Sequence, residues 1–358
     1  MKDTATKRER VIEVLRGGKP PYIPSLGECP MDVTVTKSLL PPSSGDYIKD
    51  LITDAEFFDN SAAGIGIGVS SKTLSRDKSH HTYEYETGAV WTERYDPTYN
   101  REALRFPVNL PEEAFNFKMP AFDDGKRFDR EELSSAVKKL KESGLFVQGS
   151  VLGAWGSSYY FIARFETLLE WMLTEPEAAG HIFSQISEFS LKSAEVLLEC
   201  GVDCIFTGSD MGTAISTLFS KEMFMKYIYP WLKSVSGLCH GYGAFHHLHS
   251  HGHIEDFMDG IVDSGVDLIN PVGPSDYNDL AMFKRKWGDK ISFLGGISTT
   301  ISDMDHDEMR RHVRDVMDTG RRGGRFFPRT ESGIPPMSRE KTLYYLKILK
   351  EERMKGYI

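Results

Sequence analysis

The chain has 358 residues, 40% of them hydrophobic and 27% charged, with a net charge of −9. That is the composition of a globular protein able to bury a large core. The acidic balance excludes a general nucleic-acid binder, which needs a basic stripe against the phosphates. Cys29, Cys200, Cys204 and Cys239 are too few and too irregularly spaced for a disulfide framework, so a reducing cytoplasm is the expected setting. The opening MKDTATKRERVIEVLRGG is charged and amphipathic without an apolar h-region, so no signal peptide is expected. No run approaches the roughly 18 apolar residues of a membrane span.

In chain order, the first 140 residues give an irregular pattern. A helix is expected over about Lys7–Arg16, ended by Gly17-Gly18 and kept from continuing by Pro20-Pro21. A short strand follows at Tyr22–Leu26, and Gly64–Val69 and Gly88–Glu93 read as extended segments. GIGIGV opens no helix with a phosphate-binding pattern, so its glycines are read as backbone packing. Between Pro107 and Asp129 a surface connection containing proline and phenylalanine is expected. From Leu145 the pattern becomes regular. Short apolar runs at Leu145–Ala154, Val202–Gly208, Gly243–Ser250, Val266–Val272, Ile291–Ile297 and Arg325–Pro328 read as buried strands. Helices are expected at Phe161–Leu173, Glu175–Glu199, Lys221–Val235, Ile254–Ser264, Tyr277–Trp287, His306–Gly320 and from Ser338 onward. Such alternation implies parallel strands with right-handed crossovers, and without a nucleotide-binding turn it favours an α/β TIM barrel over an open sheet.

The densest chemical feature is FHHLHSHGHI, with His246, His247, His249, His251 and His253. On an extended segment alternate residues share a face, so His247, His249, His251 and His253 could point one way. Imidazoles two residues apart at a strand end can share a zinc ion, which at a catalytic site takes three protein ligands and keeps one open position. Asp210 follows an apolar strand directly, the place where barrel enzymes carry catalytic groups. Capping the next helix or closing a turn with Gly212 is the less favoured alternative for this aspartate. Glu28 and Cys29 lie beyond the first strand, and Arg329 and Glu331 beyond the last. First and last strands are neighbours in a closed barrel, so these groups could converge. Trp155, Tyr159 and Tyr160 could wall a pocket, or simply pack.

FTGSDMGT followed by LFSKEMFMKYIYPWLK resembles a segment of uroporphyrinogen-decarboxylase-like proteins, Asp-x-Gly-(Thr), then Ser-Pro-Glu-x-Phe and a late proline. HLHSHGHI resembles the His-x-Cys-Gly-Asn segment of that superfamily. GVDLINPV and KRKWGDKISFLGGIST resemble its next two strands, and RERVIEVLRGGKPPYIPS and ETLLEWMLTEPEAAGHI also fit. The resemblance covers nearly the whole chain. It implies one (β/α)8 barrel domain over residues 1–358, with an irregular N-terminal part to 140 and regular β/α units over 141–358. Decarboxylases proper hold a polycarboxylate with an arginine-rich segment resembling Arg-Gln-Ala-Gly-Arg-Tyr. The corresponding stretch here, SLGECPMDVTVTKSLL, has no arginine, which disfavours that substrate.

The other branch, the cobalamin- and coenzyme M-type methyltransferases, binds zinc through His-x-Cys and a distant Cys. His249 matches the family histidine, His251 replaces the first cysteine, and Glu331 or Ser332 stands near the second. The resemblance therefore implies zinc held by His249, His251 and Glu331, with Cys239 and Glu28 as rivals for the third place. Such a harder ligand set suits an ether or hydroxyl oxygen better than a thiol. The expected activity is O-demethylating methyl transfer from a small, methoxylated aromatic donor to a corrinoid on a separate protein. Asp210 or Glu28 would bind a ring substituent or protonate the departing oxygen, and Trp155, Tyr159, Tyr160 and Arg329 would hold the substrate. A metal-free decarboxylase-type lyase using Asp210 and a non-enzymatic binding protein on the same barrel are the alternatives. A homodimer is compatible with the sequence.

Overall fold

The computed structural model describes residues 5–95, 100–122 and 127–358. Eleven strands run in chain order: β1 (Ala62–Gly66), β2 (Ser71–Arg76), β3 (His80–Tyr85), β4 (Val90–Arg94), β5 (Asn100–Arg105), β6 (Phe146–Val151), β7 (Cys204–Gly208), β8 (Phe245–His249), β9 (Leu268–Val272), β10 (Ser292–Ile297) and β11 (Phe326–Thr330). Seven of them form a parallel sheet ordered β1-β6-β7-β8-β9-β10-β11. The remaining four form an antiparallel sheet ordered β2-β3-β4-β5.

The parallel sheet is TIM-barrel-like, with helices at Pro176–Glu199, Tyr229–Gly241, Leu280–Trp287, His306–Gly320 and Arg339–Arg353 between or after its strands. Instead of the expected strand at Tyr22–Leu26, Ser25 makes an isolated parallel bridge to Asn60 and Pro30 another to Ile334. The prolines on both sides of this stretch remove ladder donors, which keeps it from extending into a regular strand. Phe146, Cys204, Phe245, Leu268, Leu294 and Phe327, one from each of β6–β11, cluster with Leu26 and with Val11, Val14 and Leu15. The last three come from the helix Lys7–Leu15, which covers the N-terminal end of the strands. Asp203 fixes that helix in place. It accepts from Arg8 Nε and a terminal guanidinium nitrogen at 3.0 and 2.8 Å, from Lys141 Nζ at 3.0 Å and from Val147 N at 3.0 Å.

The N-terminal part is more ordered than its pattern suggests. Helices occupy Val33–Leu39 and Tyr47–Phe57, and a helix at Pro111–Asn116 lies within the expected Pro107–Asp129 connection, of which residues 123–126 are outside the described set. The antiparallel sheet docks on the helix Ala154–Phe161. Trp91 on β4 donates Nε1–H to the carbonyl of Tyr160 at 2.9 Å, and the two rings stack with centroids 5.2 Å apart. The sheet therefore stands over the C-terminal ends of β6 and β7. Among the described residues no helix is long and apolar enough to cross a membrane.

Candidate active site

The five histidines separate into four groups, because β8 ends at His249 and Gly252 (φ +91°) turns the chain away. The single shared face expected for His247, His249, His251 and His253 is therefore not formed. His246 points outward, its two ring nitrogens 2.9 Å from Thr207 Oγ1 and 2.8 Å from Ser236 Oγ. His247 is clamped between Gln148 Oε1 and Asn270 Oδ1, each at 2.7 Å. His253, on the loop after β8, donates its amide to the carbonyl of Thr213, on the loop after β7, at 2.7 Å. Only His249 and His251 meet at the mouth, ring centroids 4.8 Å apart and planes at 86°.

Burial sets the protonation of the outward histidine. His246 is fully buried, which drives its pKa down to about 3 from the ordinary 6.5. The unfolded chain then holds a proton that the folded chain refuses. Stability from this residue is thus complete above about pH 6.5 and is lost as pH falls from there toward about 3. Urea denaturation at about pH 7 and about pH 4.5 is expected to show a steeper acid loss for the wild type than for His246→Asn, and equal slopes would refute this assignment.

At the mouth, His249 is held near pKa 4 by burial, against the pull of Asp210, so it is a neutral imidazole at neutral pH. Its Nε2 stands 3.6 Å from Asp210 Oδ1. The same carboxylate oxygen accepts the backbone N–H of His251 at 2.8 Å. Asp210 therefore ties the loop after β7 to the loop after β8. Two glycines make that possible. A Cβ on Gly252 would lie 2.1 Å from the carbonyl carbon of Gly212, and one on Gly212 would lie 2.6 Å from His253 N. Around the His251 ring stand Asp276 Oδ2, 3.4 Å from Nδ1, and Ser332 Oγ, 3.3 Å from Nε2. The hydrogen bond with Asp276 raises the His251 pKa, against burial.

The remaining residues singled out in the sequence divide between mouth and scaffold. Tyr159 and Tyr160 line a cavity of about 380 Å³ together with Phe206, Asp210 and His249. Trp155 stands behind that wall, fully buried against Tyr159, Phe165, Phe183 and Phe219, because the helix Ala154–Phe161 turns its side chain inward. Glu28 is fully buried away from the cavity, accepting from Thr330 N, Thr330 Oγ1 and Tyr345 OH at 3.1, 2.9 and 2.7 Å. Burial raises its pKa, opposed by Arg329 and those hydrogen bonds. Arg329 is close enough to lower the pKa of both His247 and His249, and its buried Nε has no hydrogen-bond partner among the described residues.

Glu331 does not reach out to the histidines. Its carboxylate accepts from Ser275 N at 2.9 Å, from Ser275 Oγ and from Thr299 N at 3.3 Å. Cys239 is buried at the end of the helix Tyr229–Gly241, just before β8 begins and thus at the opposite end of that strand from His249. Cys29 is exposed. Among the described residues no three His, Cys, Asp or Glu side chains stand together as a completed metal site.

Sequence reasoning missed Asp276, Tyr85 and Arg101, whereas Ser332, named beside Glu331, does stand at the His251 ring. Tyr85 and Arg101 line the same cavity from the antiparallel sheet. For Tyr85 a signal was present as alternation in HTYEYETGAVWTE, two aromatic-bearing runs joined at Thr87-Gly88, which is a hairpin pattern.

Along its whole length the fold is similar to that of a methyltransferase from Methanosarcina mazei, at TM-score 0.69 and 14% identity, over 97% of this chain and 99% of that one. A 3-keto-D-glucoside 4-epimerase from E. coli aligns over 70% of this chain and 97% of its own, at 13% identity and TM-score 0.38. No curated protein matches the chain. Residues 109–347, well over half of the sequence, match the family model for uroporphyrinogen decarboxylase (URO-D), and the chain belongs to that family.

Proposed function

We propose that this protein is a zinc-dependent methyltransferase that moves a methyl group from a small methoxylated aromatic to a corrinoid carried by a partner protein. The observation that carries this reading is the meeting of His249 and His251 beside an aromatic-lined cavity at the strand ends. The whole-length likeness to the M. mazei methyltransferase accords with it. We also read the stretch around Ser25–Pro30, bridged to both edges of the seven-stranded sheet, as the eighth position of a closed barrel forming one domain.

The donor set bears on whether zinc fits. Tetrahedral zinc with bonds of about 2.0–2.2 Å holds neighbouring donors about 3.3 Å apart. His249 Nε2 and Asp210 Oδ1 are 3.6 Å apart, within a small adjustment of that spacing. His251 brings a second imidazole to the same place, whereas Glu331 is occupied by Ser275 and Thr299. On this reading His249 and His251 would hold the zinc, with Asp210 rather than Glu331 nearest the third position. Bound there, zinc would act as a Lewis acid on the donor's ether oxygen.

The other tasks fall to this chain's own side chains. Tyr159, Tyr160 and Phe206 present aromatic surface that can pack a substrate ring and keep water from it. Asp210 Oδ1 holds the His251 backbone, which leaves Oδ2 to bind a ring substituent. Incubation with a cobalt(I) corrinoid protein and a methoxybenzene tests the proposal. Methylcobalt and free phenol are expected in equal amounts, abolished by exhaustive chelation and restored by zinc. Activity on a carboxylated substrate that survives chelation would point instead to the metal-free lyase.

A further inference from the structure

The antiparallel sheet puts a guanidinium into the roof of the active-site cavity. Arg101 lies on β5, with its Cζ 4.6 Å from the Trp91 ring centroid and 4.8 Å from that of Tyr160. One terminal nitrogen donates to Tyr85 OH at 2.8 Å, while the buried Nε has no hydrogen-bond partner. No carboxylate among the described residues pairs with it. Its neighbours on the same surface behave differently: Arg105 pairs with Glu84, and Arg127 with Glu86. Arg101 is therefore a cation fixed in place by aromatic rings, partly desolvated, and without an anion among the described residues.

A half-buried guanidinium in such a setting is costly unless something completes it, and its planar fork matches a carboxylate. The aromatic rings that could otherwise cage a substrate's ammonium group are already occupied by the protein's own cation. We propose that Arg101 is the docking point for a carboxylate on the substrate, so that the ligand of this cavity is an aromatic acid. The carboxylate is held under the sheet while the ring lies on Tyr159 and Tyr160, and the ring's other end reaches Asp210 and His249. This deepens the methyl-donor reading of the same cavity and rests on it for the identity of the reacting end.

Calorimetric binding to the full chain separates the two. Three probes of equal size suffice: 3-methoxybenzoate, 3-methoxybenzyl alcohol and (3-methoxyphenyl)trimethylammonium. The wild type is expected to bind the benzoate about tenfold or more tighter than the alcohol, a preference that weakens with added salt, and to reject the ammonium. Arg101→Met, with its thermal midpoint checked, should bring the benzoate down to the affinity of the alcohol. If that variant does not fold, Arg101→Lys keeps the charge but not the fork, and should weaken the benzoate several-fold while leaving the alcohol unchanged. Equal affinity of the wild type for acid and alcohol, tighter binding of the ammonium, or an unchanged preference in either folded variant would overturn the assignment. Loss of the preference with methyl transfer intact sinks the anchor alone; the preference without methyl transfer sinks the methyltransferase reading alone.

Discussion

Alanine at both His249 and His251 is expected to take the metal content of the purified protein from about one zinc per chain to background, and methyl transfer with it. Neither ring is part of the main core. His249 touches Phe206 with centroids 5.9 Å apart, and apart from its ring contact with His249 the His251 side chain makes long contacts with Asp276 and Ser332. The double variant should therefore stay folded, within about 1–2 kcal/mol of the wild type. The informative contrast is with the other histidines. His246→Ala removes the ring that partners both Thr207 and Ser236 in a fully buried site, so it should lower stability while zinc is retained. Glu331→Gln should also keep the metal, because that carboxylate is already engaged by Ser275 and Thr299. Zinc retained in full by the histidine pair variant would show that the ligands lie elsewhere.

The β/α half of the molecule was readable because its strands are buried on both faces. A strand such as Leu268–Val272, buried at every position, leaves a short and largely apolar run interrupted by Asn270. The N-terminal sheet had no such trace. Every residue of Ser71–Arg76 is exposed, so neither face carries an apolar signature and the period of two disappears. The first barrel position failed for a related reason, since one bridge at Ser25 and one at Pro30 do not amount to a strand. In the site, His249, His251 and Asp210 were legible because local spacing brings them to two adjacent strand ends. Arg101 was not, since it reaches the cavity only through the docking of Trp91 on Tyr160. Glu28 was misplaced because a charged residue after a short strand suggests a loop, whereas Thr330 and Tyr345 satisfy it inside the protein.

Gly252→Ala is expected to do severe damage at the mouth. The loops after β7 and β8 cross at Gly212 and Gly252, where an added Cβ meets backbone atoms at 2.1, 2.2 and 2.4 Å rather than a side chain that could swing away. The left-handed φ of +91° adds strain of its own. Together these should cost about 3 kcal/mol or more. Gly243→Ala is the control: it shares a positive φ of +70° but has nothing within 4 Å, so its cost is only the backbone strain of about 1 kcal/mol. The difference between the two isolates the loop contact. That contact is also what brings the N–H of His251 to Asp210 at 2.8 Å, so forcing the loops apart should weaken zinc binding even in the fraction that folds. Titration with a competing chelator reads this directly, with Gly243→Ala expected at the wild-type affinity and Gly252→Ala well below it. Equal costs for the two glycines would mean that the loops are free to separate. The pairing of Asp210 with His251 would then be incidental to the site rather than the device that assembles it.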